Sequence, residues 1–356
     1  MSKVTKNRII IVCLLAAAIV VLYLLGEIEL LLSWKGITLL LAGVVAFVSQ
    51  GVLVGSREPV SESSEHDQIR ELTKEELEAV TDFLALTNRP CINLKAYRKP
   101  TGVYDSKFGG TPYLPSGFEY PRNKCKGGLG DPLKLLCQLN FATLPPLPDF
   151  PQNGILQFYV APNKDDYFGV EMPETVFGVD FDHPTRQNAW RVVYHREIVK
   201  DEWALQSPPK INLASTNSDE EFNPPSFPFD GEFALEAELG VMPINPVDYG
   251  WDDFMKTTLG PSAIGRQLTE KYKPYELEEA FAEVLSATGH RVGGYPFFTQ
   301  EDPRLRDNKK HSVLLLQIDS DEEICWGDAG VANFFITPDD LARCDFSRVL
   351  YNWDCM

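Results

Sequence analysis

Hydrophobic residues follow different patterns along this chain, and each pattern predicts a different kind of structure. Two long apolar runs come first, over residues 9–25 and 37–54, and both are close to the length that a helix needs to cross a bilayer. A polar stretch over residues 57–71 predicts a flexible linker. From residue 72 onward, short apolar runs separated by proline and glycine predict a domain rich in β-strand.

The two apolar runs predict a transmembrane helical hairpin over residues 1–56. Lys3, Lys6 and Arg8 precede the first run and Arg57 follows the second, so the positive charge predicts that both ends lie in the cytoplasm. The protein is then expected in the inner (plasma) membrane, with its soluble domain facing the cytoplasm. A cleaved signal peptide and a single anchor with an exported domain are the alternatives, although no small-residue cleavage site follows the first run.

Three short anchors in the domain recur in the same order near the C-terminus. The offsets between the two copies shrink along the chain, which indicates that the loops between the anchors are shorter in the second copy. The anchors are a Gly-Gly-x-Pro-aromatic motif at 109–113 and 293–297, an apolar run ending in Gln-x-Asn or Gln-x-Asp at 135–140 and 314–319, and a glycine-led apolar run at 154–159 and 330–335.

The fold class predicted from these patterns is α+β, mainly antiparallel β-sheet, with peripheral helices and the membrane hairpin in front. The domain over residues 72–356 is expected to contain two pseudo-repeated halves, at about 91–206 and 231–356. Between them, residues 207–230 hold a proline-rich excursion.

Helix signals flank the strand-like runs. Thr73 and Glu76 form a capping box that predicts a helix from Lys74 to Leu86. Asn245 followed by Pro246 predicts a helix to about Met255. Further helices are expected at about 275–288 and after Thr337, and a last strand is expected at 348–353.

Charge and cysteine content narrow the classes of partner and compartment. The whole chain has a net charge of −18, so nucleic acid, which needs clustered Lys and Arg, is not expected as a partner. Seven cysteines contain no Cys-x-x-Cys pair and are scattered, which predicts free thiols in a reducing compartment. No metal site and no cofactor are implied.

Several segments resemble the YwqG family, a bacterial domain of unknown function. The resemblance covers about residues 75–356 and implies a mixed α+β domain built largely of antiparallel sheet. It implies no reaction, ligand or cofactor. The matching segments are Phe108-Gly109-Gly110-Thr111-Pro112-Tyr113-Leu114-Pro115, Leu136-Cys137-Gln138-Leu139-Asn140, Gly154-Ile155-Leu156-Gln157-Phe158-Tyr159, Asp165-Asp166-Tyr167-Phe168-Gly169, Arg191-Val192-Val193-Tyr194-His195, Gln317-Ile318-Asp319-Ser320-Asp321 and Cys325-Trp326-Gly327-Asp328-Ala329-Gly330 through Phe335.

The first group of candidate site residues lies on the repeated strands. Gln138 and Asn140 share one face of a strand, as do Gln317 and Asp319 in the second copy. Two interpretations follow from this pattern. Each glutamine either bonds the backbone of its own glycine-containing loop or lines a ligand cleft shared by the two halves.

The second group of candidates lies in the loops downstream of the first half's strands. Acidic residues beside histidine and arginine can hold a ligand or divide acid and base roles, but they are also ordinary in turns. A ligand contact at this place is the functional interpretation. The group comprises Asp165, Asp166, Tyr167, Asp180, His183, Arg191 and His195.

Together these features predict a binding module for a protein or other ligand rather than an enzyme. No nucleophile, phosphate-binding or metalloprotease motif supports catalysis. A hydrolase that uses the region from Asp165 to His195, with or without a metal, is one alternative. A structural component of a membrane complex, held through residues 9–54, is another.

Overall fold

Ten strands form one antiparallel sheet in the computed structural model, which describes residues 71–126, 129–163, 176–211, 227–305 and 308–356. The ten strands include many β-branched or aromatic residues, which suit a pleated surface. They are β1 (Arg89–Arg98), β2 (Lys107–Gly109), β3 (Lys134–Asn140), β4 (Ile155–Val160), β5 (Trp190–His195), β6 (Glu232–Met242), β7 (His290–Gly293), β8 (Val313–Asp319), β9 (Val331–Ile336) and β10 (Leu350–Asp354).

The strand order is symmetric about a long central pair. It runs β10-β9-β8-β7-β1-β6-β2-β3-β4-β5, so four strands follow in chain order on each side of β1 and β6. The pairing of β3 with β4 has a bulge between Leu135 and Cys137, and the pairing of β8 with β9 has one between Leu314 and Leu316. The recurring anchors of the sequence therefore occupy equivalent places in the sheet.

The sheet is curled, as contacts between side chains near its two edges show. Trp190 on β5 lies 5.4 Å from Tyr351 on β10, measured between ring centroids, and Phe158 on β4 lies 4.8 Å from Phe334 on β9. All four side chains belong to one large apolar cluster that lines the concave side of the sheet. Burial of these rings helps to hold the two halves together.

Helices are few and short, and most pack beside the central pair. The helix at Lys74–Ala85 begins with the predicted capping box, since Thr73 accepts from the Glu76 N–H and Glu76 accepts from the Thr73 N–H. That prediction is confirmed. The helices are α1 (Lys74–Ala85), α2 (Trp251–Phe254) running into a π-helical turn (Met255–Leu259), α3 (Ala263–Lys271), α4 (Pro274–Val284) and α5 (Pro338–Ala342), with 3₁₀ turns at Glu202–Ala204 and Phe346–Arg348.

Asn245 does not begin a helix, which corrects the predicted helix start. Its side chain accepts from the N–H of Val247 and donates to the carbonyl of Pro296, so it fastens a turn to the loop of the second half. The helix begins later, at Trp251. Asparagine serves turns as well as helix N-termini, and the sequence did not distinguish the two uses here.

The predicted fold class, α+β with an N-terminal membrane hairpin, is wrong. The described ranges form one curled, mostly antiparallel sheet with few helices, and no helix in them has both the length and the apolar character needed to span a bilayer. The predicted spans at 9–25 and 37–54 lie outside these ranges, as do residues 212–226 of the proline-rich excursion. The location predicted from the spans stays a prediction.

Candidate functional site

Gln138 is wholly buried and its amide is used within the first half. Its Oε1 accepts from the N–H of Tyr113 at 2.8 Å, and its Nε2 donates to the carbonyls of Val103 and Asp105 at 2.9 Å. Gln157 on the next strand donates to the carbonyl of Tyr113 and to Oε1 of Gln138, both at 2.8 Å. The two amides thus clamp the loop that carries the Gly-Gly-x-Pro motif.

Gln317 makes the same bonds in the second half. Its Oε1 accepts from the N–H of Phe297 at 2.8 Å, and its Nε2 donates to the carbonyls of Ala287 and Gly289 at 2.8 and 2.7 Å. Asn333 donates to the carbonyl of Phe297 at 2.9 Å. Both glutamines are 0% exposed, so the contacts support the interpretation in which each holds its own loop.

Asn140 and Asp319 also make local bonds. The N–H of Asn140 donates to Ser106 Oγ at 2.9 Å, and the N–H of Asp319 donates to His290 Nδ1 at 3.0 Å. His290 Nε2 lies 3.0 Å from a carboxylate oxygen of Asp321 and holds the pKa of that carboxyl at about 2. Both ring nitrogens of His290 are therefore occupied by contacts within the second half.

The candidate acids downstream do not assemble into one site among the residues that can be described. Asp165, Asp166 and Tyr167 lie outside the described ranges. Asp180 lies in a turn, 3.8 Å from Nδ1 of His183 and 3.6 Å from Nη1 of Arg186. In the described part of the chain, no group of three or more His, Cys, Asp or Glu residues could hold a metal ion.

His195 lies at the end of β5 and is almost fully buried. Its Nε2 lies 3.0 Å from Gln157 Oε1, and its ring packs edge-on against Tyr113 and Phe118 at centroid distances of 5.1 and 4.8 Å. Burial lowers its pKa to about 4. At neutral pH the ring is therefore uncharged and serves as a support for Phe118.

Arg191, on the same strand, lines a surface groove of about 330 Å³, which we name the arginine groove. Its Nη2 donates to the carbonyl of Gln187 at 2.9 Å, while its Nε is buried and finds no acceptor within the described ranges. Burial lowers the pKa of Arg191, although Glu119 opposes that shift. The groove is lined by Phe118, Glu119, Tyr120, Pro121, Arg122, Lys124, Arg191, Val192 and Val193.

The arginine groove concentrates positive charge in a chain that is acidic overall. Among the described residues, Arg122, Lys124 and Arg191 line it beside one acid, Glu119. Arg122 Nη1 donates to the carbonyl of Gly130 at 2.5 Å, which fixes the position of its guanidinium. A guanidinium pair beside an ammonium group suits a carboxylate or phosphate, because charged N–H donors bind oxyanions strongly.

The wall of the arginine groove is held in place by the first half. The hydroxyl of Tyr120 donates to the carbonyl of Leu133 at 2.9 Å, and its ring packs edge-on against Tyr159 at 5.6 Å. The N–H of Lys124 donates to the carbonyl of Asn188. Because the walls of the groove are already fixed, little conformational entropy is lost when a ligand binds.

Sequence reasoning found Arg191 and His195 but missed Arg122, Lys124 and Tyr120. The signal was present as basic residues at 122, 124 and 126 within an acidic chain. What the sequence did not show is that this segment packs beside β5. Of the predicted residues, the structure brings Arg191 to the groove, places His195 behind Phe118 in the groove wall, and leaves Gln138, Gln317 and Asp319 buried in the sheet.

The comparisons with known proteins identify a family but assign no activity. No curated protein matches the chain. The YwqG name suggested by the motifs is not confirmed and stays a prediction. Residues 106–355, most of the chain and nearly all of the sheet, match one family, and the protein therefore belongs to the family described as Domain of unknown function (DUF1963).

Proposed function

We propose that this protein is a binding module that takes an anionic ligand in the arginine groove. The observation that supports the proposal most directly is the gathering of three cations, Arg122, Lys124 and Arg191, beside one described acid, Glu119, in a single groove. Charged N–H donors bind carboxylate and phosphate oxygens strongly, so an anion of either kind suits this groove.

Binding rather than turnover is favoured by the state of the nearby histidine. His195 is neutral, with a pKa of about 4, and its Nε2 is occupied by Gln157. A base with so low a pKa is a poor proton acceptor at neutral pH. The groove supplies charge and aromatic walls, which suffice to hold an anion.

The proposal is tested by calorimetric titration of the purified full-length chain with pyrophosphate and with citrate at low and moderate salt. We expect Arg191→Ala to weaken binding at least about tenfold, since one charged hydrogen bond contributes roughly 1.5–3 kcal/mol. Arg191→Lys keeps the charge but loses the planar fork, so it should restore binding only in part.

Lys256→Ala provides the matched control. Lys256 is exposed on the π-helical turn beside the central pair and lines none of the grooves on the first half. Removing its charge changes the net charge by the same amount as Arg191→Ala and should leave affinity unchanged. Equal losses from both variants, or no binding of either anion to the wild-type protein, would refute the proposal.

A further inference from the structure

A second groove continues the arginine groove along the surface of the first half. It measures about 210 Å³ and shares Tyr120 with the arginine groove, so the two grooves adjoin at that ring. Among the described residues, Lys134 is the one charged residue that lines it, and we name it the lysine groove. The other residues that line it are Gly110, Pro112, Leu135, Pro208, Pro209 and Ile211.

The two grooves together form a positively charged path. Lys134 Nζ lies 3.9 Å from the ring centroid of Phe227, which fixes its position beside the groove. Along the path, Lys134, Arg122, Lys124 and Arg191 face one acid, Glu119. A ligand that extends from Arg191 toward Lys134 would therefore meet cations at both ends of the path, while Asp230, outside the described lining, lies near Lys134.

The path does not continue past Arg191 in the opposite direction. A third groove of about 310 Å³ adjoins there, and Asp345 lines it. The hydroxyl of Ser347 and its backbone N–H donate to the Asp345 carboxylate and hold its pKa below the usual range. A charged carboxylate at this place repels an anion, so the favourable direction is toward the lysine groove.

The charge of the whole chain limits how long the ligand can be. With a net charge of −18, the protein repels a long polyanion such as a nucleic acid outside the grooves, while a short acidic segment meets only the local cations. Aromatic and proline side chains form the walls of both grooves. Such walls suit the methylene groups and backbone of a peptide, and Arg clusters recognise acidic motifs.

We infer that the ligand is a short peptide segment rich in Asp and Glu, supplied by a partner protein, that lies across the arginine and lysine grooves. This inference rests on the proposed function, since both use Arg191. It adds the lysine groove, whose contribution is separable, because Lys134 is outside the arginine groove.

The test is fluorescence anisotropy of a labelled octaglutamate peptide, with octaglutamine as the uncharged probe and pyrophosphate as the small anion. We expect Arg191→Ala to weaken both octaglutamate and pyrophosphate. Lys134→Met, which keeps the apolar stem that packs near Phe227, should weaken octaglutamate about five- to tenfold and leave pyrophosphate unchanged. Octaglutamine should not bind.

A second variant protects the test against misfolding of Lys134→Met. Pro209→Glu places a negative charge in the lysine groove from its partly exposed rim, and we expect it to weaken octaglutamate selectively. Lys256→Ala is again the control for net charge. A melting curve for each variant shows whether it is folded.

The outcomes separate this inference from the proposed function. If neither change in the lysine groove affects octaglutamate while pyrophosphate still needs Arg191, the peptide inference fails and the proposed function holds. If a linear polyphosphate of eight units binds as tightly as octaglutamate, the site selects charge and not peptide, which also overturns the inference. If the wild-type protein binds neither anion, both proposals fail.

Discussion

The two halves of the sheet share a frame and differ on their outer face. In the first half Tyr159 on β4 pairs with Arg191, whereas in the second half Phe335 on β9 pairs with Leu350. Tyr120 packs against Tyr159 beside an open groove, and the guanidinium of Arg304 lies 4.4 Å from the centroid of Phe335. The same place on the sheet is thus a groove in one half and a closed structure in the other.

The charges at this place show what the difference means. Arg304 is wholly buried between Asp248 and Asp302, each 2.7 Å from its Nη2, so its charge is neutralised inside the protein. The cations of the arginine groove face solvent instead and outnumber the acid beside them. At this place the second half of the sheet is closed by a neutralised arginine, and the first half is open.

The largest expected effect separates the two arginines. Arg304→Met should lower the free energy of unfolding by about 3–5 kcal/mol, because it leaves two buried carboxylates without their cation. Arg191→Met should cost about 1 kcal/mol or less, since Arg191 forms no ion pair within the described ranges. Urea unfolding followed by circular dichroism measures both.

A binding measurement on the same two variants completes that contrast. Pyrophosphate affinity should fall in Arg191→Met and persist in Arg304→Met under conditions where the latter is folded. A similar stability loss in the two variants would show that the division between a structural arginine and a ligand-facing arginine is wrong.

A smaller effect tests the shared frame. Gln138→Leu and Gln317→Leu should each lower the free energy of unfolding by about 3 kcal/mol, since each removes several hydrogen bonds from buried loop backbone. Gln138→Leu should cost slightly more, because Gln157 Nε2 also loses an acceptor. The same urea unfolding curves measure this.

Nearly neutral behaviour of either glutamine variant would contradict the role assigned to that glutamine. Leu139→Ala is a useful comparison, because it removes a wholly buried apolar side chain from the same strand as Gln138. The decrease in its free energy of unfolding measures the contribution of apolar packing in β3 alone.

Part of the sheet could be predicted from the sequence, because a strand leaves a local pattern of apolar residues. The apolar runs at β3, β4, β8 and β9 are contiguous and recur with an amide side chain at matching places. The sequence alone therefore predicts them as strands. The order of the strands in the sheet could not be predicted from the sequence. The central pair joins β1 to β6, more than 130 residues later, and no local pattern specifies so distant a partner.

Two errors had definite physical causes. Apolar residues alternate along Glu232–Met242, the period of a strand, but the segment follows a proline-rich stretch and holds several charged residues, so the sequence does not single it out as β6. The predicted fold class is wrong because capping signals specify where a helix begins and not whether the helices form a layer. Those helices are short and pack beside the sheet without forming a layer of their own.

The arginine groove was harder to predict from the sequence than the strands of the sheet. Arg191 was named because it stands beside His195 in a strand, but Arg122 and Lys124 belong to a segment with few apolar residues. They become part of the groove only through backbone bonds such as Lys124 N–H to Asn188 O and through Tyr120 packing on Tyr159. Contacts of this kind form between loops and leave no periodic pattern.

The smallest effect concerns pH and compares equivalent edge positions of the two halves. His195 pairs with Ile155 on β4 as Asp354 pairs with Val331 on β9. Burial lowers the pKa of His195 from 6.5 to about 4, so the unfolded chain takes up a proton first as pH falls. Stability that His195 contributes fully above pH 6.5 is therefore lost toward pH 4.

The stability lost through His195 should amount to about 2 kcal/mol between pH 7.5 and pH 5. Urea unfolding at both values of pH measures it, and His195→Gln, which does not titrate, should lose less stability at pH 5 than the wild-type protein. Other groups titrate in both proteins, so the comparison isolates His195.

Asp354 supplies a control with the opposite sign. Burial raises its pKa, so the folded chain takes up this proton more readily and Asp354 favours folding as pH falls. Asp354→Asn should then make the acid loss steeper, whereas His195→Gln makes it shallower. If both variants shift the pH dependence in the same direction, the two edges do not differ in the way that their buried polar groups indicate.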